Sequence, residues 1–354
     1  VTKIEQLENK NQTGLIIGEA VQLGHWDPEK LKFEKFGWVP DINSPVYLAS
    51  EIDEPDLEEE EFVVGKIPDT NFPVILNKKL SVTHHTAILG VTGTGKSTFA
   101  RNLIRQLILD KDTKVICIDF TQEYSGKFSD INHKKIIPDD RSNKIFTYID
   151  WLTKELEKFG NKQNKEGIER ANWLIKSKFL RSIIEYLKGP NQLTIFELPD
   201  VSNTTGILEY TKLFFQALFL VARKRDNYNK RICVVLEEAH TVIPEWNFIG
   251  LSEKSSQSLV NNIGQIALQG RKYNIGFFVI AQRSANVSKT VLTQCNSIIS
   301  FQLFDKTSSD FLSNYFGSDI TEALPNLKFR QAIASGKAFK SNVPMIFEVP
   351  EINE

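Results

Sequence analysis

The segment Gly90-Val91-Thr92-Gly93-Thr94-Gly95-Lys96-Ser97 constrains this chain more than any other feature. It fits G-x-x-x-x-G-K-[ST], a loop that wraps phosphates and is built only between a buried strand and the start of a helix. Both flanks are present. The apolar run Ala87 to Leu89 precedes the loop, and Phe99, Leu103 and Leu107, with Ala100, Ile104 and Ile108, repeat at helical spacing behind it. Each residue type has a physical reason. Gly90, Gly93 and Gly95 let the backbone close round a phosphate and aim N–H groups at it, and the helix N-terminus adds its positive end. Thr92 and Thr94 complete the loop. Lys96 supplies a mobile positive charge for the β- and γ-phosphates, the Ser97 hydroxyl a coordination position for Mg²⁺, and Thr98 supports the α-phosphate side. A nucleotide with Mg²⁺ is therefore the expected ligand. No N-K-x-D guanine-reading motif occurs, and Asn77-Lys78-Lys79-Leu80 lacks the Asp.

Beyond the loop the texture alternates between buried strand and helix, as a parallel sheet with covering helices requires. The strand candidates are Ala87 to Leu89, Val115 to Ile118, Leu193 to Phe196, Ile232 to Leu236, Phe277 to Ile280 and Ile298 to Phe301. Residues 1–75 differ: short apolar runs (Leu15 to Ile17, Val46 to Leu48, Phe62 to Val64, Val74 to Leu76) among Gly, Pro and Asn predict a β-rich segment of short strands and tight turns ahead of a core over 76–350. Between Glu51 and Glu61 stand eight acids and no base, the composition of a solvated loop. Within the core, residues 140–190 read as a helical insertion. Lys154 to Arg181 holds eight bases and four acids, which suits solvated helix faces or a phosphate-backbone contact.

Hydrolysis needs more than a phosphate loop. Ile232 to Leu236 ends in Glu237-Glu238-Ala239-His240, an apolar strand delivering two carboxylates to the sheet edge where the loop also sits. Side chains alternate along a strand, so the two acids are expected to divide the work. Glu237 would order Mg²⁺, and Glu238 would orient or deprotonate the attacking water. His240 reads as a structural turn residue. Gln282 closes the strand Phe277 to Ile280, where its amide could sense the γ-phosphate or align water. Arg271 ends a predicted helix, where the helix dipole also favours an Arg, and spacing leaves its role open.

Assembled, these residues resemble a HerA-type ATPase of the HerA–FtsK translocase group. The likeness spans about Pro73 to Pro350 and is carried by Thr83-His84-His85-Thr86-Ala87-Ile88-Leu89-Gly90, Leu236-Glu237-Glu238-Ala239-His240, Gly270-Arg271-Lys272-Tyr273 and Ala281-Gln282-Arg283. It implies a RecA-like P-loop NTPase core, a homohexameric ring, ATP hydrolysis between subunits, and double-stranded DNA in a central channel. It also implies that Glu238 is the catalytic glutamate, Gln282 the sensor and Arg271 an arginine finger reaching a neighbour's γ-phosphate. Rings of this kind work with nuclease or sirtuin-like effector proteins in DNA end processing or anti-phage defence. The chain departs from its relatives at His84, where many carry Arg, and in having fewer than eighty residues before the core, so the resemblance implies that the barrel-like segment with which many of them begin is here either abbreviated or cut away. The alternative function is a nucleotide-regulated ring scaffold that activates an effector with little DNA translocation.

Composition excludes other classes. With 43 Lys and Arg against 44 Asp and Glu, the net charge is −1, unlike a uniformly basic nucleic-acid-coating protein. Cys117, Cys233 and Cys295 are too scattered for a disulfide framework or a zinc site and read as core thiols. No apolar stretch suits a membrane span, and Val1 to Lys10 has no signal-peptide core, so a cytoplasmic location without membrane partners is expected. The missing initiator Met suggests a processed or trimmed product.

Overall fold

The computed structural model describes residues 24–35, 55–119, 124–158, 162–197, 204–224, 230–245, 261, 263–265 and 268–351. The runs Leu15 to Ile17 and Val46 to Leu48, and the first part of the acidic stretch, lie outside the described residues. Strands β1 (His25–Asp27) and β2 (Lys32–Glu34) pair as a small antiparallel sheet. The others are β3 (Glu61–Lys66), β4 (Pro73–Asn77), β5 (Thr86–Leu89), β6 (Thr113–Asp119), β7 (Lys134–Lys135), β8 (Leu193–Glu197), β9 (Arg231–Leu236), β10 (Ile275–Ala281), β11 (Ser297–Ser300), β12 (Gln331–Gly336) and β13 (Met345–Glu348). They form one eleven-stranded sheet in the order β4-β3-β13-β12-β11-β5-β10-β9-β6-β8-β7.

Each of the six apolar runs of the core expected to be strands forms one, and the strands from β11 through β5, β10, β9, β6 and β8 to β7 are mutually parallel. β6 and β10 are buried along their whole length, as a sheet covered on both faces requires. Alternate residues feed two cores. Ile116, Ile118, Val234, Leu236 and Val279 face one, and Val115, Cys117, Cys233, Val235 and Phe278 the other. All three cysteines are buried free thiols, and burial pushes the Cys295 thiol up to about 12.

The strands ahead of residue 76 divide. β3 and β4 join the large sheet through the antiparallel strands β12 and β13, while the β1–β2 hairpin stays separate. Helix α1 (Lys78–Thr83), capped by the Asn77 side chain accepting from Leu80 N–H, leads into β5. Helix α2 (Lys96–Ile108) buries Phe99, Ala100, Leu103, Ile104 and Leu107 on one sheet face. On the other face lie α3 (Asp139–Leu156), α4 (Lys165–Lys188) and α5 (Thr204–Arg223). In α4, Ala171, Ile175, Phe179, Ile183 and Leu187 recur every fourth residue, and Phe179 packs edge-on against Phe196 of β8 and against Tyr210 and Phe214 of α5. Among the described residues, no helix is long and apolar enough to cross a membrane.

Candidate functional site

A parallel sheet has two unlike edges, and β5 connects them here. At its C-terminal edge the phosphate loop begins with Gly90 (φ 150°), whose N–H donates to the Ala281 carbonyl of β10. A Cβ at Gly90 would stand 2.6 Å from Phe301 Cβ, so no larger residue fits. Gly95 (φ 99°, ψ 0°) is the left-handed residue that starts α2. Between them Thr94 is buried, its hydroxyl donating to the Val91 carbonyl at 2.8 Å, whereas Thr92 and Gly93 are exposed at the loop's tip. Lys96 is buried on the first turn of α2, Ser97 is exposed beside it, and the Thr98 hydroxyl accepts from Arg101 at 3.1 Å.

The two glutamates meet this loop by different routes. Strand β9 ends at Leu236, so alternation does not separate them as the sequence suggested; both lie in the turn beyond the strand, and Glu238 takes a left-handed backbone (φ 47°, ψ 53°). That turn divides their surroundings. Glu237 Oε1 accepts from Ser97 Oγ at 3.3 Å and Oε2 from the Tyr124 hydroxyl at 2.7 Å. Burial raises its carboxyl above the usual range, with the Lys96 charge opposing. Glu238 Oε1 accepts from the Gln282 amide at 2.7 Å, and its Oε2 stands 3.3 Å from His240 Nδ1. His240, followed by Gln282, holds the Glu238 carboxyl below the usual range against the effect of burial. Adjacent carboxyls pushed in opposite directions are the arrangement expected when two acids perform different tasks. Oε2 of Glu238 is shielded from solvent and makes no aligned hydrogen bond among the described residues, which leaves it free to accept one.

Ser97 and Glu237 present two oxygen donors at one point, and the half-buried Glu237 carboxylate lies within reach of the Lys96 charge. That donor set fits Mg²⁺, which takes one or two protein oxygens and completes its shell with water and phosphate. Among the described residues there is no group of three or more His, Cys, Asp or Glu that would suit a metal held by protein alone.

Sequence reasoning missed two members of this cluster. Tyr124 reaches Glu237, and Asp119, fully buried at the end of β6, fixes Tyr124 by accepting from its N–H at 2.8 Å. The available signal was Asp119 itself, an acid closing the apolar run Val115 to Ile118 on the strand next to β9.

Arg271 is not brought to this cluster. It lies in a short turn (Arg271–Tyr273) at the start of β10, whose seven residues span roughly 23 Å before Gln282. It is exposed at the N-terminal edge of the sheet, where the imidazoles of His84 and His85 titrate below the usual range, through burial first and the Arg271 charge second, His85 at about 4. His85 is thus a neutral acceptor, taking the Phe277 N–H on Nδ1 at 3.0 Å and anchoring the foot of β10 beside the Arg271 turn. The Lys337 charge also acts on His84. Neither Arg271 nor Lys337 has an ion-pair partner among the described residues.

Comparison with known proteins identifies the family. A family model described as the central domain of helicase HerA matches residues 62–316. A probable helicase of Methanocaldococcus jannaschii is 30% identical over 94% of this chain and 79% of its own length. The DNA double-strand break repair helicase HerA of Sulfurisphaera tokodaii is 23% identical over 88% of this chain and 73% of its own. Against another probable helicase of M. jannaschii, 23% identical over 77% of this chain, the match spans only 63% of the relative. Among solved structures, VirB4 of Thermoanaerobacter pseudethanolicus superposes with a TM-score of 0.53 at 13% identity, covering 84% of this chain and 98% of that one, a likeness of fold.

Proposed function

The chain belongs to the family of the HerA helicase central domain, and from that membership and the site geometry we propose that it is the ATP-hydrolysing subunit of a ring, a homohexamer, that translocates double-stranded DNA for a nuclease or other effector protein. One observation carries the reading. The phosphate loop, both glutamates and the sensor amide share one sheet edge, while the cation expected to complete them stands at the other edge of the same chain. A nucleotide held by one copy can meet Arg271 only if it is the Arg271 of another.

The chemistry divides among named groups. The loop N–H groups and Lys96 would hold the polyphosphate, with Ser97 and Glu237 holding Mg²⁺. When bound, that ion offsets charge on the β- and γ-phosphate oxygens. Glu238, ionised across the neutral range and with Oε2 free to accept, would take the proton of the attacking water, a role worth about 10² to 10⁴ in rate. Gln282 fixes the carboxylate through Oε1 and ties it to the strand beside the loop. An arginine supplied by the neighbour adds about 10³ to 10⁵, so assembly itself would switch turnover on.

The test is ATPase rate against duplex DNA at several salt concentrations. DNA should stimulate turnover, and the stimulation should fall as salt rises, because DNA contact releases counterions. Turnover indifferent to DNA, with a nucleotide-dependent complex of an effector protein, would favour the scaffold reading, which the near-neutral net charge of −1 accommodates.

A further inference from the structure

Cations at the N-terminal sheet edge are of two kinds. Where β9 begins, Lys230 pairs with Asp112 at 2.8 Å, and Arg231 pairs with Glu60 at 2.9 Å and with Asp110. Arg271 and Lys337 have no such partner among the described residues. The fold also brings these two together. The strand order β12-β11-β5-β10 puts the exit of β12 and the entry of β10 on either side of the entry of β5, where His84 stands, and both charges act on that one imidazole. Lys337 is placed there by its backbone. Gly336 ends β12 opposite Ser297 with φ 125°, and a Cβ on it would lie 2.1 Å from the Asn296 carbonyl oxygen, so the turn closes only round a glycine. Lys337 N–H donates to that carbonyl at 3.1 Å and Asn296 N–H to the His84 carbonyl at 2.9 Å, two bonds in series that tie the turn to β5. Ala338 N–H donates to Ser297 Oγ at 2.9 Å. Ala338 and Phe339 are buried, whereas Lys337 is exposed. Across His84, the Arg271 turn is fixed by Tyr273, packed edge-on against Phe219 of α5 at 5.0 Å.

Two like charges on fixed turns repel each other unless an anion lies between them. Three strand spacings of about 4.8 Å set the turns roughly 14 Å apart. Side chains as long as Arg and Lys, reaching inward from both ends of such a gap, suit an anion whose charge is spread over several groups. We infer that Lys337 is a second cation supplied to the neighbouring copy's triphosphate, acting beside Arg271 on its phosphate oxygens. The inference rests on the reading that Arg271 completes another copy's loop, and adds to that centre a turn drawn from the antiparallel strands. The two cations differ in what they offer: the guanidinium a planar fork, the ammonium a compact point charge.

The experiment measures ATP turnover of the assembled full chain, with and without duplex DNA, and assembly itself by sedimentation. Lys337→Ala should assemble as wild type does and hydrolyse ATP about tenfold or more slowly, while Lys337→Arg stays within about threefold of wild type. Mixing then fixes the direction of supply. Lys337→Ala with Lys96→Ala should regain activity, because the intact loop of the first can meet both cations of the second. Lys337→Ala with Arg271→Ala should not, because no copy in that mixture brings both cations. Unchanged turnover in Lys337→Ala, no gain in the first mixture, or a gain in the second overturns the assignment. So does a loss of turnover that only follows lost assembly, or one confined to the DNA-stimulated rate, which would place Lys337 on DNA instead. Arg271→Ala working at the wild-type rate would remove the underlying reading; a slow Arg271→Ala beside a fast Lys337→Ala removes this inference alone.

Discussion

The two edges of the central sheet are built from the same strands and carry opposite chemistry. At the C-terminal ends of β5, β9 and β10 stand a glycine-rich loop, two carboxylates and an amide, each held by a neighbour: Ser97 and Tyr124 on Glu237, Gln282 on Glu238. At the N-terminal ends of β5 and β10 stand Arg271 and Lys337, cations without ion-pair partners among the described residues, beside a histidine kept neutral by burial. The first edge is preorganised and the second is open. On the proposed function, such a molecule carries both halves of a reaction centre and cannot join them within itself. A head-to-tail contact between copies can, and a contact of that kind closes into a ring when its rotation permits.

The comparison can be broken most severely at the loop. Lys96→Ala should abolish Mg-ATP binding, measured by calorimetry, since the charge spanning the β- and γ-phosphates is lost. Arg271→Ala should bind ATP as wild type does yet turn it over about 10³-fold or more slowly in the assembled protein. Equal turnover would leave the open edge without a catalytic purpose. Glu238→Gln should also retain ATP while slowing hydrolysis by about 10² to 10⁴, read as phosphate release. The smallest effect sharpens the preorganised edge. The Tyr124 hydroxyl lowers the Glu237 carboxyl, so Tyr124→Phe raises it further. A raised carboxyl takes its proton at higher pH, and the acid limb of the pH–rate profile should therefore move upward, with turnover at neutral pH reduced by less than about tenfold.

The preorganised edge was the more legible in sequence. Its loop must be contiguous to wrap a phosphate, and Glu237 and Gln282 each follow an apolar strand, so spacing alone places them at one edge. The long apolar strands were legible for the same reason, burial on both faces. What spacing could not convey was contact between distant segments. Tyr124 meets Glu237 across more than a hundred residues, and Lys337 comes beside His84 because β12 pairs antiparallel with β11, neither of which leaves a local pattern. The different surroundings of Glu237 and Glu238 were anticipated for the wrong reason: a left-handed residue after the strand separates them, not the pleat. The role proposed for Arg271 came from the family resemblance and its position from the structure, because an arginine near a helix end is also ordinary.

Mixing two inactive variants tests the shared-centre account most directly. Lys96→Ala keeps the open edge and Arg271→Ala keeps the loop, so in equimolar mixed rings about a quarter of the contacts between copies should unite an intact loop with an intact arginine. ATP hydrolysis should then rise well above that of either variant alone. A mixture that co-assembles and remains as inactive as its components would contradict a reaction centre divided between two chains.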